Sequence, residues 1–357
     1  MNFDFSEDQL MLADHARKFL SESCDPERLR RHVESGADYD ADLWAQMVEL
    51  GWTAISIPEE HGGLGMGALE LCVLAEEVGR VLAPTPFFST VCLAAELLKR
   101  CSNDVAVELL TKIAGGEALI AVDLLGANLE VDPDLLTASG SLPAVAYGRS
   151  ANYLIASAVL DGNQVILLID TQAEGYHSQA LSEGVDELAS YQRISCESVP
   201  VTILQSELPV DALVNLITDQ AAVLTAFEQI GGAEVACYMA RDYVLERYAF
   251  GRQVGGYQAV KHRLADMMIK IELARSNAYY GAWAMASGGP ELPLAAAVAR
   301  VSAIDAYNFA AEENLHLHGG IGYTWEANCH FFYKRARLLA MNFGNLAHWS
   351  KKLLAAA

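Results

Sequence analysis

Basic residues are scarce in this chain: 24 Lys and Arg stand against 46 Asp and Glu in 357 residues, a formal charge of −22. A sequence-independent grip on nucleic acid or on an anionic membrane would have to oppose that field, so neither is the expected partner. Paired cysteines are also missing. Cys24, Cys72, Cys92, Cys101, Cys196, Cys237 and Cys329 are odd in number, scattered and without a CxxC pair. That argues against a disulfide framework and a zinc site, and it points to a reducing cytoplasm. Met1-Asn2-Phe3-Asp4-Phe5 carries no basic run followed by an apolar stretch, and no segment reads as long and apolar enough to span a bilayer. The expectation is therefore a protein that is neither exported nor inserted in a membrane. What the chain does have is apolar content, 52%, enough for a large core in two or three domains.

Ser6-Glu7-Asp8-Gln9 has the form of a capping box, with Leu10, Ala13, Phe19 and Leu20 following at helical spacing. Helical patterns continue through Asp42 to Leu50, Leu69 to Leu82 (stopped by Pro84) and Ser89 to Arg100, so residues 1–118 read as an α-helical domain. From Ala118 the texture changes to short apolar runs, at 119–122, 153–156, 165–169 and 199–201, broken by Gly, Asn, Asp and Pro. Residues 119–207 read as a compact β domain. After Pro209 helical periodicity returns, with Asp211 as a cap and long helices over about 220–247, 258–286 and 292–318, so 208–357 reads as a helical bundle. The fold class is α+β, mainly α.

Four motifs carry chemistry. Ile57-Pro58-Glu59-Glu60-His61-Gly62-Gly63-Leu64-Gly65, leading into Glu70, Glu76, Glu77, Val78 and Gly79, is a glycine loop followed by a helix. It has no preceding strand and no Lys-Ser/Thr, so it is neither a dinucleotide fingerprint nor a phosphate loop, and alone it reads as an ordinary loop. Glu246-Arg247-Tyr248-Ala249-Phe250-Gly251-Arg252, with Gln258-Ala259-Val260-Lys261-His262 and Ala265-Asp266-Met267, closes one helix and opens the next. His318-Gly319-Gly320-Ile321-Gly322-Tyr323-Thr324-Trp325-Glu326 ends the third long helix, and Phe332-Tyr333-Lys334-Arg335-Ala336-Arg337 begins the last. In this order and at these distances the four closely resemble the acyl-CoA dehydrogenase family over nearly the whole chain.

The resemblance implies an N-terminal helical domain, a middle β-barrel and a C-terminal four-helix bundle. It also implies bound FAD and α,β-dehydrogenation of an acyl-CoA thioester, in which a carboxylate takes the α-proton and the flavin takes the hydride, since no side chain accepts one. By resemblance, Arg247 meets the FAD pyrophosphate, Phe250 lies beside the cofactor, Gln258 bonds its adenosine portion, and Gly319 and Gly320 let backbone approach the pyrophosphate. His316 stands where many members carry glutamine. An arginine fork suits phosphate oxygens, although a helix-end arginine is also favoured by the helix dipole alone. His316 and His318, two residues apart on a helix, point to different faces and have no Cys or carboxylate to complete a metal site. Tyr279, Tyr280 and Trp283 read as bundle core, and Glu272 with Arg275 as a helix-surface pair.

The departures from the family are as informative. Its flavin-cradling Thr-Glu-Pro-Gly-Ala-Gly-Ser-Asp-like loop and Trp-Ile-Thr-Asn-like strand correspond here to Val122-Asp123-Leu124-Leu125-Gly126-Ala127-Asn128 and Val145-Ala146-Tyr147-Gly148-Arg149-Ser150, which depart from that pattern. Within Asn342-Phe343-Gly344-Asn345, the glutamate that most members use as base falls on Phe343. The position some members use instead falls on Ala221. Glu228, two helical turns beyond Ala221 and on roughly the same face, is the remaining candidate base, weighed against a structural carboxylate.

Groups that would serve a neighbour's FAD are thus kept, and those that would serve the chain's own site are lost. This resembles the non-catalytic subunit of heterotetrameric acyl-CoA dehydrogenases of bacterial steroid side-chain degradation. The implied partners are an acyl-CoA substrate and a homologous subunit. A self-sufficient homo-oligomer using Glu228 and a flavin-free scaffold are the alternatives. Chain length of the acyl group and the electron acceptor stay open.

Overall fold

The computed structural model describes residues 5–126, 128–181 and 184–356. Helix α1 (Glu7–Ser23) opens with the expected capping box, Ser6 Oγ accepting from Gln9 N while the Gln9 side chain accepts from Ser6 N. Helices α2 (Pro26–Ser35), α3 (Ala41–Glu49) and α4 (Ala68–Val81) follow, α3 being capped by the Asp40 carboxylate on Leu43 N. Where one helix was expected over Ser89 to Arg100, a π-helical stretch, Phe88–Ala95, runs into the short α5 (Glu96–Leu98). Helix α6 (Asp104–Ala114) ends this helical run.

Strands β1 (Ile120–Asp123), β2 (Leu129–Asp132), β3 (Thr137–Ala146), β4 (Tyr153–Leu160), β5 (Asn163–Asp170), β6 (Tyr176–Ala180) and β7 (Tyr191–Leu204) come next. The pairings β4–β2, β2–β3, β3–β7, β7–β5 and β5–β4 form a closed ring. β1 pairs with β4 beside β2, and β6 with β7 beside β5. Closure removes the exposed edges of an open sheet and encloses Leu129, Leu142, Leu154, Leu167, Ile169 and Ile194. The middle segment is the barrel that the resemblance implied.

The C-terminal part is helical: α7 (Val210–Glu246), α8 (Gln258–Ser287), α9 (Leu292–His318), α10 (Cys329–Leu339) and α11 (Leu346–Ala356), with a small hairpin, β8 (Tyr248–Ala249) and β9 (Arg252–Gln253), between α7 and α8. The short helix expected after Asp211 and the long one expected from Gln220 are one continuous α7. Within it the Thr218 hydroxyl back-bonds to Val214 O at 2.7 Å. One sequence expectation is corrected here. By length and composition α7 could cross a bilayer, with mean hydropathy 1.3 over its most apolar window, but 67% of that window is buried, as in a core helix.

The chain forms two compact units that interleave along the sequence. One comprises Arg30–Gly67 and Pro84–Thr218 and contains the barrel. Within it the Asp38 carboxylate accepts from Arg149 Nε at 2.8 Å and a second guanidinium nitrogen at 2.5 Å, from Ser190 Oγ at 2.7 Å and from Ser150 Oγ. The other unit comprises Met1–Leu29, Ala68–Ala83 and Asp219–Ala357. There α4 and α7 meet backbone to backbone. A Cβ on Gly79 would lie 2.1 Å from Glu228 O, and one on Gly231 2.1 Å from Glu76 O. Beside this contact Arg275, expected on the surface, bonds Glu76 at 2.6 Å and Glu234 at 3.2 Å. Arg80 joins Glu76, Glu77 and Glu234, and Arg17 reaches Glu77 at 2.7 Å, giving three cations against three carboxylates. Tyr279 stacks on Phe227, and Tyr280 on Trp283.

Although burial works the other way, the donors around Asp38, led by Arg149, hold its pKa below the ordinary carboxylate value. Its contribution to stability is therefore full above about pH 4 and is lost as pH falls through the depressed folded value. Asp38→Asn should lower stability at pH 7 by about 1–3 kcal/mol. The gap to the parent should close on acidification, as followed by denaturant unfolding.

Candidate cofactor half-site

The segment between α7 and α8 is built to present Phe250. Strands β8 and β9 are joined by two residues, Phe250 and Gly251, with φ 51° and 81°, the two positive φ values a tight hairpin demands. Phenylalanine pays a conformational cost there that glycine would not. Its ring is 97% exposed. The hairpin itself is held firmly: Tyr257 Oη donates to Ala249 O at 2.9 Å, Val254 N to Arg247 O at 2.8 Å, and Arg252 lies 3.8 Å over the Tyr257 ring. Arg247 and Gln258, which flank the hairpin, are exposed. The Arg247 guanidinium makes no hydrogen bond or ion pair with any described residue.

The second piece is the end of α9. Gly319 sits at φ 66°, ψ −142°, a conformation open only to glycine, and a Cβ on Gly319 or Gly320 would meet nothing within 4 Å. The backbone at both positions is therefore open to an approaching group. His318 stacks on Tyr243 at 4.2 Å, and its Nδ1 lies 2.8 Å from Asn314 O. Burial lowers its pKa, so it is neutral at pH 7, with Nδ1–H donating. His316 is exposed and faces Glu313 at 4.0 Å, so the two histidines engage different partners. Tyr243 lies one turn before Arg247 and His318 directly precedes Gly319, so the stack sets the ends of α7 and α9 side by side. The C-terminal end of α9 is the negative pole of its dipole. A phosphate there would need a cation beside it, and the Tyr243–His318 stack brings alongside the end of α7 that carries Arg247.

The candidate base positions are placed as follows. Ala221 is fully buried in α7. Phe343, half-buried, has φ 56° in the loop between α10 and α11. Glu228 is buried, with Arg335 of α10 at 3.1 Å. The pair is joined by Arg300 of α9, fully buried, which donates to Gln229 Oε1, to Leu339 O and, at 2.8 Å, to Asn342 O. Burial pushes the Arg300 pKa down to about 9, opposed by Glu228, so it remains a cation at neutral pH. It caps the last carbonyls of α10, where a cation is favoured. Arg300 was legible as a lone charge within the apolar run Ala295-Ala296-Ala297-Val298-Ala299-Arg300-Val301.

In the barrel unit, the segments corresponding to the family's flavin cradle are already committed. Asp123, its pKa raised by burial, accepts from the amides of Leu125 and Gly126, and Leu124 O accepts from Ser157 Oγ at 2.9 Å. Ala127 lies outside the described residues. Tyr147 Oη donates to Thr85 O at 2.9 Å, and Arg149 and Ser150 are engaged with Asp38. The helical unit's residues thus fit an FAD, with an unpaired guanidinium, a presented ring and an open glycine turn. Among the described residues, these barrel segments offer no unpaired cation of this kind.

This fold, with these pieces in place, defines an FAD-dependent oxidoreductase class. Residues 6–117 match the acyl-CoA dehydrogenase N-terminal domain and residues 214–347 its C-terminal domain. The chain belongs to the acyl-CoA dehydrogenase family, whose cofactor is FAD. Acyl-CoA dehydrogenase IpdE2 of Mycobacterium tuberculosis is 31% identical over 331 residues, 92% of this chain and 91% of that protein. FadE34 of the same organism is 32% identical over 90% of this chain, which spans only 43% of its length. Among solved structures, the Tcur3481-Tcur3483 steroid ACAD G363A variant superposes with TM-score 0.89 at 27% identity, covering 98% of this chain and 97% of that one. The ChsE4-ChsE5 complex from Mycobacterium tuberculosis does so at 0.90 and 22% over the full length of both chains, a likeness of fold.

Because Glu228 and Arg335 are a buried pair, Arg335→Leu alone strands a carboxylate and should cost about 3–5 kcal/mol. Glu228→Leu with Arg335→Leu should regain most of that loss. Thermal or denaturant unfolding of both variants measures the coupling.

Proposed function

We propose that this chain is the accessory subunit of a two-component, FAD-dependent acyl-CoA dehydrogenase. It completes the flavin site of a homologous partner that brings the base. The observation that carries this reading is the exposed half-site: Phe250 held outward in a strained hairpin beside an unpaired Arg247 and an open Gly319-Gly320 turn. The chain's own base positions hold Phe343 and Ala221, and Glu228 is tied to Arg335 rather than free to take a proton. FAD, when bound, accepts the hydride of the substrate. Arg247 binds its pyrophosphate, Gly319 and Gly320 admit that group to the backbone, Phe250 covers an edge of the cofactor, and Gln258 and His316 supply hydrogen bonds.

Two relatives support the finer reading. The steroid ACAD at 27% identity names two gene products, Tcur3481 and Tcur3483, and IpdE2 aligns over nearly its whole length. We infer a bulky, steroid-type acyl-CoA as substrate. With seven free cysteines, a reducing cytoplasm is the inferred location.

Expressed alone, the chain should be colourless and inactive on acyl-CoA; co-expressed with a homologous partner it should yield a yellow, active complex. In that complex with FAD saturating, Glu228→Gln should keep activity within a few-fold, whereas removing a true general base costs ~10²–10⁴-fold. A loss of that size, or a yellow active protein without a partner, would establish the self-sufficient reading instead.

A further inference from the structure

Helix α10 begins and ends on contacts that have different purposes. Its first turn grips the glycine segment that precedes it: Cys329 Sγ donates to Gly322 O at 3.3 Å, the Trp325 ring lies 5.1 Å from His330, and Phe331 meets Trp325 edge-on at 5.6 Å. Six residues on, about 9 Å along the axis, Arg335 bonds Glu228 of α7. At its C-terminal end Leu339 O and Asn342 O accept from Arg300 of α9. The three ionised groups are all buried, two cations to one carboxylate. Burying charge in this way is costly, and well-packed apolar residues of similar size often match or exceed its stability. What charged, directional bonds provide beyond burial is a single register of one helix against its neighbours.

We propose that Glu228, Arg335 and Arg300 form a clamp that fixes the axial position of α10, and through it the Gly319–Glu326 segment that meets the cofactor. The clamp makes these three residues positioning residues of the half-site, and it rests on the proposed accessory role of the chain. The segment's own bonds include short-range ones, Thr324 N and Oγ1 donating to Ile321 O and Ala327 N to Thr324 O. The segment is largely exposed, with Ile321, Tyr323 and Trp325 each more than two-fifths accessible, and a Cβ at Gly319 or Gly320 would touch nothing. Gly322 is the exception: a Cβ there would lie 2.6 Å from Leu315 O, so the segment enters its turn against the end of α9 and is then carried by α10. A helix is stiff over this length, so an error in register at Arg335 arrives undiminished at Cys329 and Trp325.

The test separates positioning from stability by comparing the parent with the Glu228→Leu/Arg335→Leu double variant and with Arg335→Lys. Hydrogen exchange of the amides from Gly319 to Glu326 is read in the isolated chain, and FAD retention in the assembled complex. We expect the double variant to unfold at nearly the parental temperature, yet to exchange these amides at least ten-fold faster and to hold FAD about ten-fold less tightly. Arg335→Lys, which keeps the charge, should restore part of both. Unchanged exchange in a stably folded double variant overturns the clamp. Faster exchange with unchanged FAD retention overturns its role at the cofactor. A yellow protein made without a partner defeats the accessory reading alone, because the exchange measurement still decides the clamp.

Discussion

Between Glu228 and Glu234, less than two turns of α7, one buried and one partly buried carboxylate gather arginines from the helices around them. Arg335 of α10 bonds Glu228, and Arg80 of α4 and Arg275 of α8 bond Glu234. Arg300 of α9 holds the intervening Gln229. Gly231 lies between the carboxylates, and there α4 comes so close that no side chain fits. The helical unit is thus assembled around one short stretch of α7 in which size and charge are both specified. The hydrophobic effect supplies the bulk of the burial but is non-directional, so the ion pairs decide how each helix is rotated and where it stops.

That arrangement bears on function because it engages Glu228, the candidate base that the sequence left. Glu228 lies in the interior and is bonded by Arg335 at 3.1 Å. Meanwhile the groups on the outside of the same unit are left unsatisfied by the chain itself. A hairpin that holds an exposed phenylalanine at positive φ carries a conformational cost, and the Arg247 guanidinium, with no partner among the described residues, is left to solvent. On the proposed accessory role, a phosphate-bearing, aromatic ligand carried mainly by another subunit would sit against them.

Much of the fold was legible in the sequence because the signals were local. The Ser6 capping box, the ends of α8 and α9 and the apolar runs of β1, β4 and β5 follow from periodicity and capping. Strands β2, β3 and β6 were not found: they are short or largely exposed, and pairing with neighbours rather than composition makes them strands. The same holds for the site. Arg247, Phe250, Gln258, Gly319 and Gly320 come from a contiguous pattern, whereas the role of Arg300 depends on which carbonyls lie across the core, and no spacing reveals that. Arg275 misled for a related reason, since its i−3 glutamate suggested a surface pair while its stronger partners, Glu76 and Glu234, are distant in sequence.

The central claim is that this chain completes a flavin site in trans, and FAD retention by the assembled complex carrying Arg247→Ala tests it most directly. Charge-assisted hydrogen bonds contribute on the order of 1.5–3 kcal/mol each. The variant complex should therefore release FAD at roughly ten- to a hundred-fold lower affinity while regaining much of its rate in excess FAD. A variant complex that holds FAD as tightly as the parent would contradict the account.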